Sequence, residues 1–154
     1  MMNKIIFTIF LFALFTALNA TDIFACSCSL PIENKSIDEQ VKEAYKNSTA
    51  VFSGEVLEVI KNPDAYFVEV KFKVVKSWKN EFKDSVLVRT GQGGGDCGYE
   101  FEIGKKYLIY TNGDENNLRT NICTRTSSFE SSEDVDSLNK IKKIKKPKIK
   151  SSPK

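Results

Sequence analysis

The 154-residue chain contains no histidine. That removes the base from any Ser-His-Asp or Cys-His catalytic site and excludes an imidazole-ligated zinc site built from this chain. No apolar run is long enough for a membrane span of about 20 residues; the longest, Ile5 to Leu18, is fourteen. Acids are missing from residues 140–154, which carry eight lysines. Taking those eight charges from the formal net of +3 leaves −5 for residues 1–139. A mildly acidic body disfavours nucleic acid as a partner. No nucleophile–base pair and no paired-carboxylate constellation is visible, so an enzyme is not expected. What remains is an ordinary globular mix, 41% hydrophobic and 28% charged, which excludes wholesale disorder and fits one domain.

The N-terminal run has the form of a secretory signal, with an uncleaved N-terminal anchor as the alternative: Met1 to Lys4 as a basic start, the apolar stretch, then small residues. Cleavage sites after Ala20 and after Ala25 compete. The second gives a signal peptide of residues 1–25 and makes Cys26 the first mature residue. Ile23-Phe24-Ala25-Cys26 also has some likeness to a bacterial lipobox, which would acylate Cys26 and anchor the chain to a membrane.

Export permits disulfides. The four cysteines, Cys26, Cys28, Cys97 and Cys123, all follow the apolar run. Four cysteines allow three connectivities. A Cys26–Cys28 bond is disfavoured, because residues i and i+2 of an extended chain sit about 7 Å apart. The two remaining patterns both tie the N-terminus to two later points. A four-cysteine zinc site is the rival, but Cys97 and Cys123 lack the paired knuckles such sites favour.

Ser36 and Glu39 form a capping-box pattern, and Ile37, Val41, Ala44 and Tyr45 follow at helical spacing, predicting a helix over 37–47. Alternation predicts strands over 50–60, with a bulge or bend at Gly54, and over 66–78. Further strands are expected at 85–90, 107–111 and 118–123, with a turn at Asn112-Gly113-Asp114. The glycine-rich Gly91–Gly98 loop is no phosphate cradle. It lacks a following Lys-Ser/Thr and is surrounded by Asp96, Glu100 and Glu102. Its glycines instead permit unusual dihedrals in a connection pinned by Cys97. Residues 131–134 are expected to cap a last helix through Val135, Leu138 and Ile141. The lysine run beyond, 142–154, reads as a disordered tail, either solvated or adhering weakly to an anionic surface.

Five short strands with one early helix and a short C-terminal helix suit a mainly β, five-stranded OB-fold Greek-key barrel. The ordered set Cys26-Ser27-Cys28, a helix, Ala50-Val51-Phe52-x-Gly54-x-Val56, Cys97-Gly98-Tyr99 and Leu118-x-Thr120-x-x-Cys123 resembles the tissue inhibitors of metalloproteinases and, more broadly, the netrin-like modules. The resemblance spans roughly residues 26–126, within an expected domain of 26–130 followed by the helix and lysine tail of 131–154. The animal inhibitors carry a third bridge in this domain and a separate C-terminal subdomain; the two-bridge form here looks like a bacterial member.

The resemblance implies the pairs Cys26–Cys97 and Cys28–Cys123. It also implies a protease-binding wedge of Cys26, Ser27, Cys28, Ser29 and Leu30 beside Asp96, Cys97 and Gly98. The partner would be a zinc metalloendopeptidase, with the Cys26 amine and carbonyl chelating the protease's zinc and Ser27 entering the adjacent pocket. No cofactor of the chain's own is expected. Two other readings are a non-inhibitory extracellular binding module and an envelope protein lipid-anchored at Cys26.

Overall fold

The structure is a computed structural model that describes residues 26–28, 35–93 and 95–145. The expected signal peptide, Ser29 and Leu30 of the expected wedge, and the chain beyond Lys145 lie outside the described residues.

Helix α1, Ile37–Asn47, begins as its capping box dictates. The Ser36 hydroxyl accepts from the Glu39 N–H at 3.3 Å and the Glu39 carboxylate accepts from the Ser36 N–H at 2.9 Å, satisfying two donors that no helical carbonyl reaches. Six strands follow: β1 Ala50–Lys61, β2 Val68–Lys79, β3 Ser85–Thr90, β4 Lys106–Asp114, β5 Asn117–Arg119 and β6 Ser127–Ser128. Helix α2, Val135–Lys145, ends the described chain.

The sheet order is β1-β2-β3-β5-β4-β6, and β1 also pairs with β4. That second pairing closes β1-β2-β3-β5-β4 into a five-stranded barrel of the OB-fold kind, and β6 pairs with β4 alone. All pairings are antiparallel except β3 with β5. Closure needs β1 to serve two neighbours and bend between them. The register against β2 shifts at Ser53/Gly54, where a Cβ on Gly54 would stand 3.1 Å from both the Phe72 Cβ and the Lys73 carbonyl oxygen. A side chain there would push the neighbouring strand back by a few tenths of an ångström, so glycine suits this close approach.

Period-two alternation sends side chains to two separate cores. Ala50, Phe52, Val70, Phe72, Tyr107 and Ile109 fill the barrel with Phe101. Their neighbours Val51, Trp78, Leu108 and Tyr110 point outward and are covered by Val41 and Tyr45 of α1 and Leu138 of α2. Residues Ala50–Ser53 and Tyr107–Thr111 are therefore buried on both faces.

Three expectations are corrected. The turn placed at residues 112–114 falls at Glu115-Asn116, because Asn112, Gly113 and Asp114 pair with Arg119, Leu118 and Asn117. Strand β5 stops at Arg119 rather than reaching Cys123. The lysine run is helical through Lys145: Ile141 packs on the outer core, Lys140 pairs with Asp38 at 3.0 Å and the Lys142 ammonium donates to the Ser77 carbonyl at 2.6 Å.

Candidate functional site

The chain begins its described course at one end of the barrel, stapled twice. Cys26 is bonded to Cys97 and Cys28 to Cys123, with Cα separations of 5.3 and 5.1 Å, which is the pairing that the resemblance implies. The sulfurs of Cys26, Cys97 and Cys123 lie within 4.8 Å of one another, so the two bridges sit side by side. No described cysteine is free, which leaves no thiolate for the rival zinc site. Two disulfides fit an oxidising extracellular or periplasmic compartment. Between the bridges Ser27 is exposed.

The two loops that receive the bridges are each built on the barrel. The first, Gly91 to Gly98, is organised by Asp96. Its carboxylate accepts from the backbone N–H groups of Gln92 (2.6 Å), Gly93 (2.8 Å) and Gly98 (3.0 Å). Desolvation works to raise the Asp96 pKa, but together the backbone donors of Gly98, Gln92 and Gly93 outweigh it and hold the carboxyl below its ordinary value. Gly98 packs so close to Gly91 that a Cβ would collide with the Gly91 carbonyl. Cys97 itself sits at φ 61°, in the left-handed region that a non-glycine residue adopts only when its surroundings impose it. Beyond it, the Tyr99 N–H donates to the Thr90 hydroxyl at 2.8 Å. The Tyr99 ring meets Phe101 at 4.6 Å and Tyr107 at 5.9 Å between centroids. The loop is thus plugged into the aromatic end of the barrel core immediately after its bridge.

The second loop, residues 120–126, is fixed by an asparagine and three threonines. Asn121 Oδ1 accepts from the N–H groups of Cys123 and Thr124, both at 3.0 Å, an Asx turn. The Thr120 hydroxyl lies 2.9 Å from that of Thr124 and 2.7 Å from that of Thr126, and it donates to the Tyr110 carbonyl at 3.0 Å. The Ile122 N–H donates to the Cys97 carbonyl at 2.9 Å, joining the loops directly. Cys26, Ser27, Cys28, Asp96, Cys97 and Gly98 are therefore brought together, with the exposed Cys123 bonded to Cys28 beside them. Glu100 and Glu102 are exposed, and the segment that carries them is not a strand.

Sequence reasoning missed the organising role of Asp96 and the threonine network. Signals for both exist. An Asp two residues before a glycine in a glycine loop has backbone donors within reach on either side. Thr120, Thr124 and Thr126 flank Cys123 at spacings that bring short hydroxyls together once the chain turns at Asn121.

No protein-family model and no curated protein matches this chain.

Proposed function

We propose that the mature chain is a secreted inhibitor of zinc metalloendopeptidases, working through the edge around Cys26. The observation that carries this reading is the double staple: both neighbours of the exposed Ser27 are covalently tied to loops that the barrel holds. A segment fixed on both sides loses little freedom on binding, so more of its contact energy appears as affinity.

The chemistry follows from the first residue. Cleavage after Ala25 gives Cys26 a free α-amine, whose ordinary pKa of about 7.7–8.0 makes deprotonation near neutral pH inexpensive. A catalytic zinc keeps one position open for water. The amine nitrogen and the Cys26 carbonyl oxygen reach that position together, displace the water and remove the nucleophile of hydrolysis. Ser27 then fills the pocket beside the metal; its small side chain suits many pockets and gives broad rather than selective inhibition. Asp96 serves the same end at one remove, by holding the loop that presents Cys97.

The experiment is to determine the N-terminus of the exported protein by sequencing and intact mass, and to titrate it against a panel of zinc endopeptidases. An N-terminal Cys26 with a free amine and stoichiometric inhibition of at least one protease are expected. A Thr21 start without inhibition speaks for a binding module, and a lipid mass on Cys26 for an envelope anchor; either removes the chelating amine and with it this reading.

A further inference from the structure

On the helical side of the barrel the surface charges divide into two kinds. Each acid of α1 has a partner: Glu43 pairs with Lys35 at 2.5 Å, Asp38 with Lys140 at 3.0 Å, and Glu39 accepts from the Ser36 N–H at 2.9 Å. Lys42, Lys46 and Lys143 are exposed, and among the described residues none of their ammonium groups forms a hydrogen bond or ion pair. Asp38 and Glu43 are neutralised by lysines, and Glu39 lies near Lys35 and Lys42. Asp136 in the first turn of α2 is the exposed acid of the two helices left without an ion pair among the described residues, against the three open charges of Lys42, Lys46 and Lys143.

The same face carries an apolar feature. Val135, Leu138 and Ile141 of α2 run along one stripe and pack on the outer core. The next residue at that spacing, Ile144, is 83% exposed. It stands beside a groove of about 820 Å³ lined by Tyr45 and Ile141 and by the charged side chains of Lys35, Glu39, Lys42, Glu43, Lys46 and Lys79, four lysines to two acids. On the other flank of α2, Lys142 and Lys143 border Lys76. The sequence after Lys145 adds Lys146, Lys148, Lys150 and Lys154 without an acid, and one further isoleucine, Ile149.

The geometry points to an anionic lipid surface as the partner of this face. Unpaired lysines are drawn to the negative potential of such a surface, and an exposed isoleucine among them can enter the headgroup region. A sulfated or phosphorylated polymer would use the lysines but has no use for Ile144, and this decides between the two. The surface is distinct from the Cys26 edge, so the inference does not rest on the protease-inhibitor reading.

The test is sedimentation of the full mature protein with phosphatidylcholine vesicles, with and without phosphatidylglycerol. Binding is expected only with phosphatidylglycerol and should fall steeply as salt is raised. Lys42→Glu, Lys46→Glu and Lys143→Glu combined should weaken it by at least about tenfold, since each basic residue near such a surface contributes about fivefold. Ile144→Ser should weaken vesicle binding about threefold while leaving binding to dextran sulfate unchanged. All four positions are exposed, and unchanged circular dichroism and melting confirm folding of the variants. No binding to anionic vesicles, or binding indifferent to the lysine reversals, overturns the inference. Vesicle binding that ignores Ile144→Ser, alongside strong dextran sulfate binding, overturns the lipid assignment in favour of a polyanion.

Discussion

The Tyr110 hydroxyl donates to the Asp134 carboxylate at 2.8 Å, across the seam where the outer face of the barrel meets helix α2. The Arg125 Nε and Nη2 reach the same carboxylate at 2.9 and 2.6 Å, and its Nη1 donates to Gln40 of α1 at 2.9 Å. Burial first, and then the Asp134 charge, push the Tyr110 phenol far above its ordinary range, so it remains a donor at any working pH. One carboxylate thereby links β4 to α2 and, through Arg125, to α1. Asp134 also sits at the start of α2, where its backbone carbonyl accepts from the Leu138 N–H at 2.9 Å.

Removing that carboxylate should loosen both helices. Asp134→Ala strands Arg125, whose side chain is 30% exposed, so water offsets part of the loss. A cost of about 2–3 kcal/mol is expected, below that of a fully buried pair. Tyr110→Phe, which removes one hydroxyl and leaves Arg125 paired, should cost about 1 kcal/mol. Urea denaturation of the three proteins checks the order; equal stability of Asp134→Ala and wild type would show that the network is not structural.

Ending the chain at Asn139 should destabilise it. The cut removes Ile141 from the outer core, the Lys140–Asp38 pair and the Lys142 bond to the Ser77 carbonyl. Partial burial of one isoleucine and a lost helical turn and a half are together worth about 1–3 kcal/mol, or several degrees in Tm for a domain of this size. A chain ended at Lys145 keeps every one of these contacts. Thermal melts of the two truncations check this; a melt of the Asn139 form equal to full length would mean that the second half of α2 contributes nothing.

Asp96 should make the Cys97 loop acid-sensitive. Its folded pKa lies below the ordinary carboxylate value of 3.8, so its contribution is complete above about pH 4 and is lost as pH falls through the lower folded value. Asp96→Asn offers no charge to the three N–H groups at any pH. The difference in Tm between wild type and Asp96→Asn should therefore be constant from neutral pH down to about 4 and shrink below it. Hydrogen exchange at Gln92, Gly93 and Gly98 should be faster in the variant at neutral pH. A Tm difference that does not change with acid would mean the carboxylate charge is irrelevant to the loop.

Much of the architecture was legible because local signals and tertiary demands agree. The Ser36/Glu39 box and the 85–90 strand stand where the pattern places them, and Gly54 marks the register shift of β1, where a Cβ would crowd Phe72 and Lys73. The misplaced turn has a plain cause. Asn112-Gly113-Asp114 has turn chemistry, yet Gly113 at φ 90° lies opposite Leu118 in the ladder, where a Cβ would collide with the Asn117 carbonyl. Strand β5 is shorter than the pattern predicts because, although Thr120 and Ile122 alternate well, Asn121 captures the backbone donors of Cys123 and Thr124. Helix α2 extends into the lysines because Lys is a good helix former and its partners, Asp38 and Ser77, are remote in sequence. At the site, the cysteine order suggested which loops meet, but nothing in the spacing alone separated the two open pairings. The resemblance implied the one that the fold contains.

The most direct measurement of the central claim compares the mature protein beginning at Cys26 with a form carrying one added alanine before it, against a zinc endopeptidase that the first form inhibits. The extension moves the amine about 3.5 Å and puts an amide nitrogen in its place, which has no lone pair to give to a metal. Both bridges and the barrel are untouched, so the two forms should melt together. The inhibition constant of the extended form is expected to rise by at least about tenfold, equivalent to about 1.4 kcal/mol. Equal inhibition by the two forms would contradict chelation by the Cys26 amine.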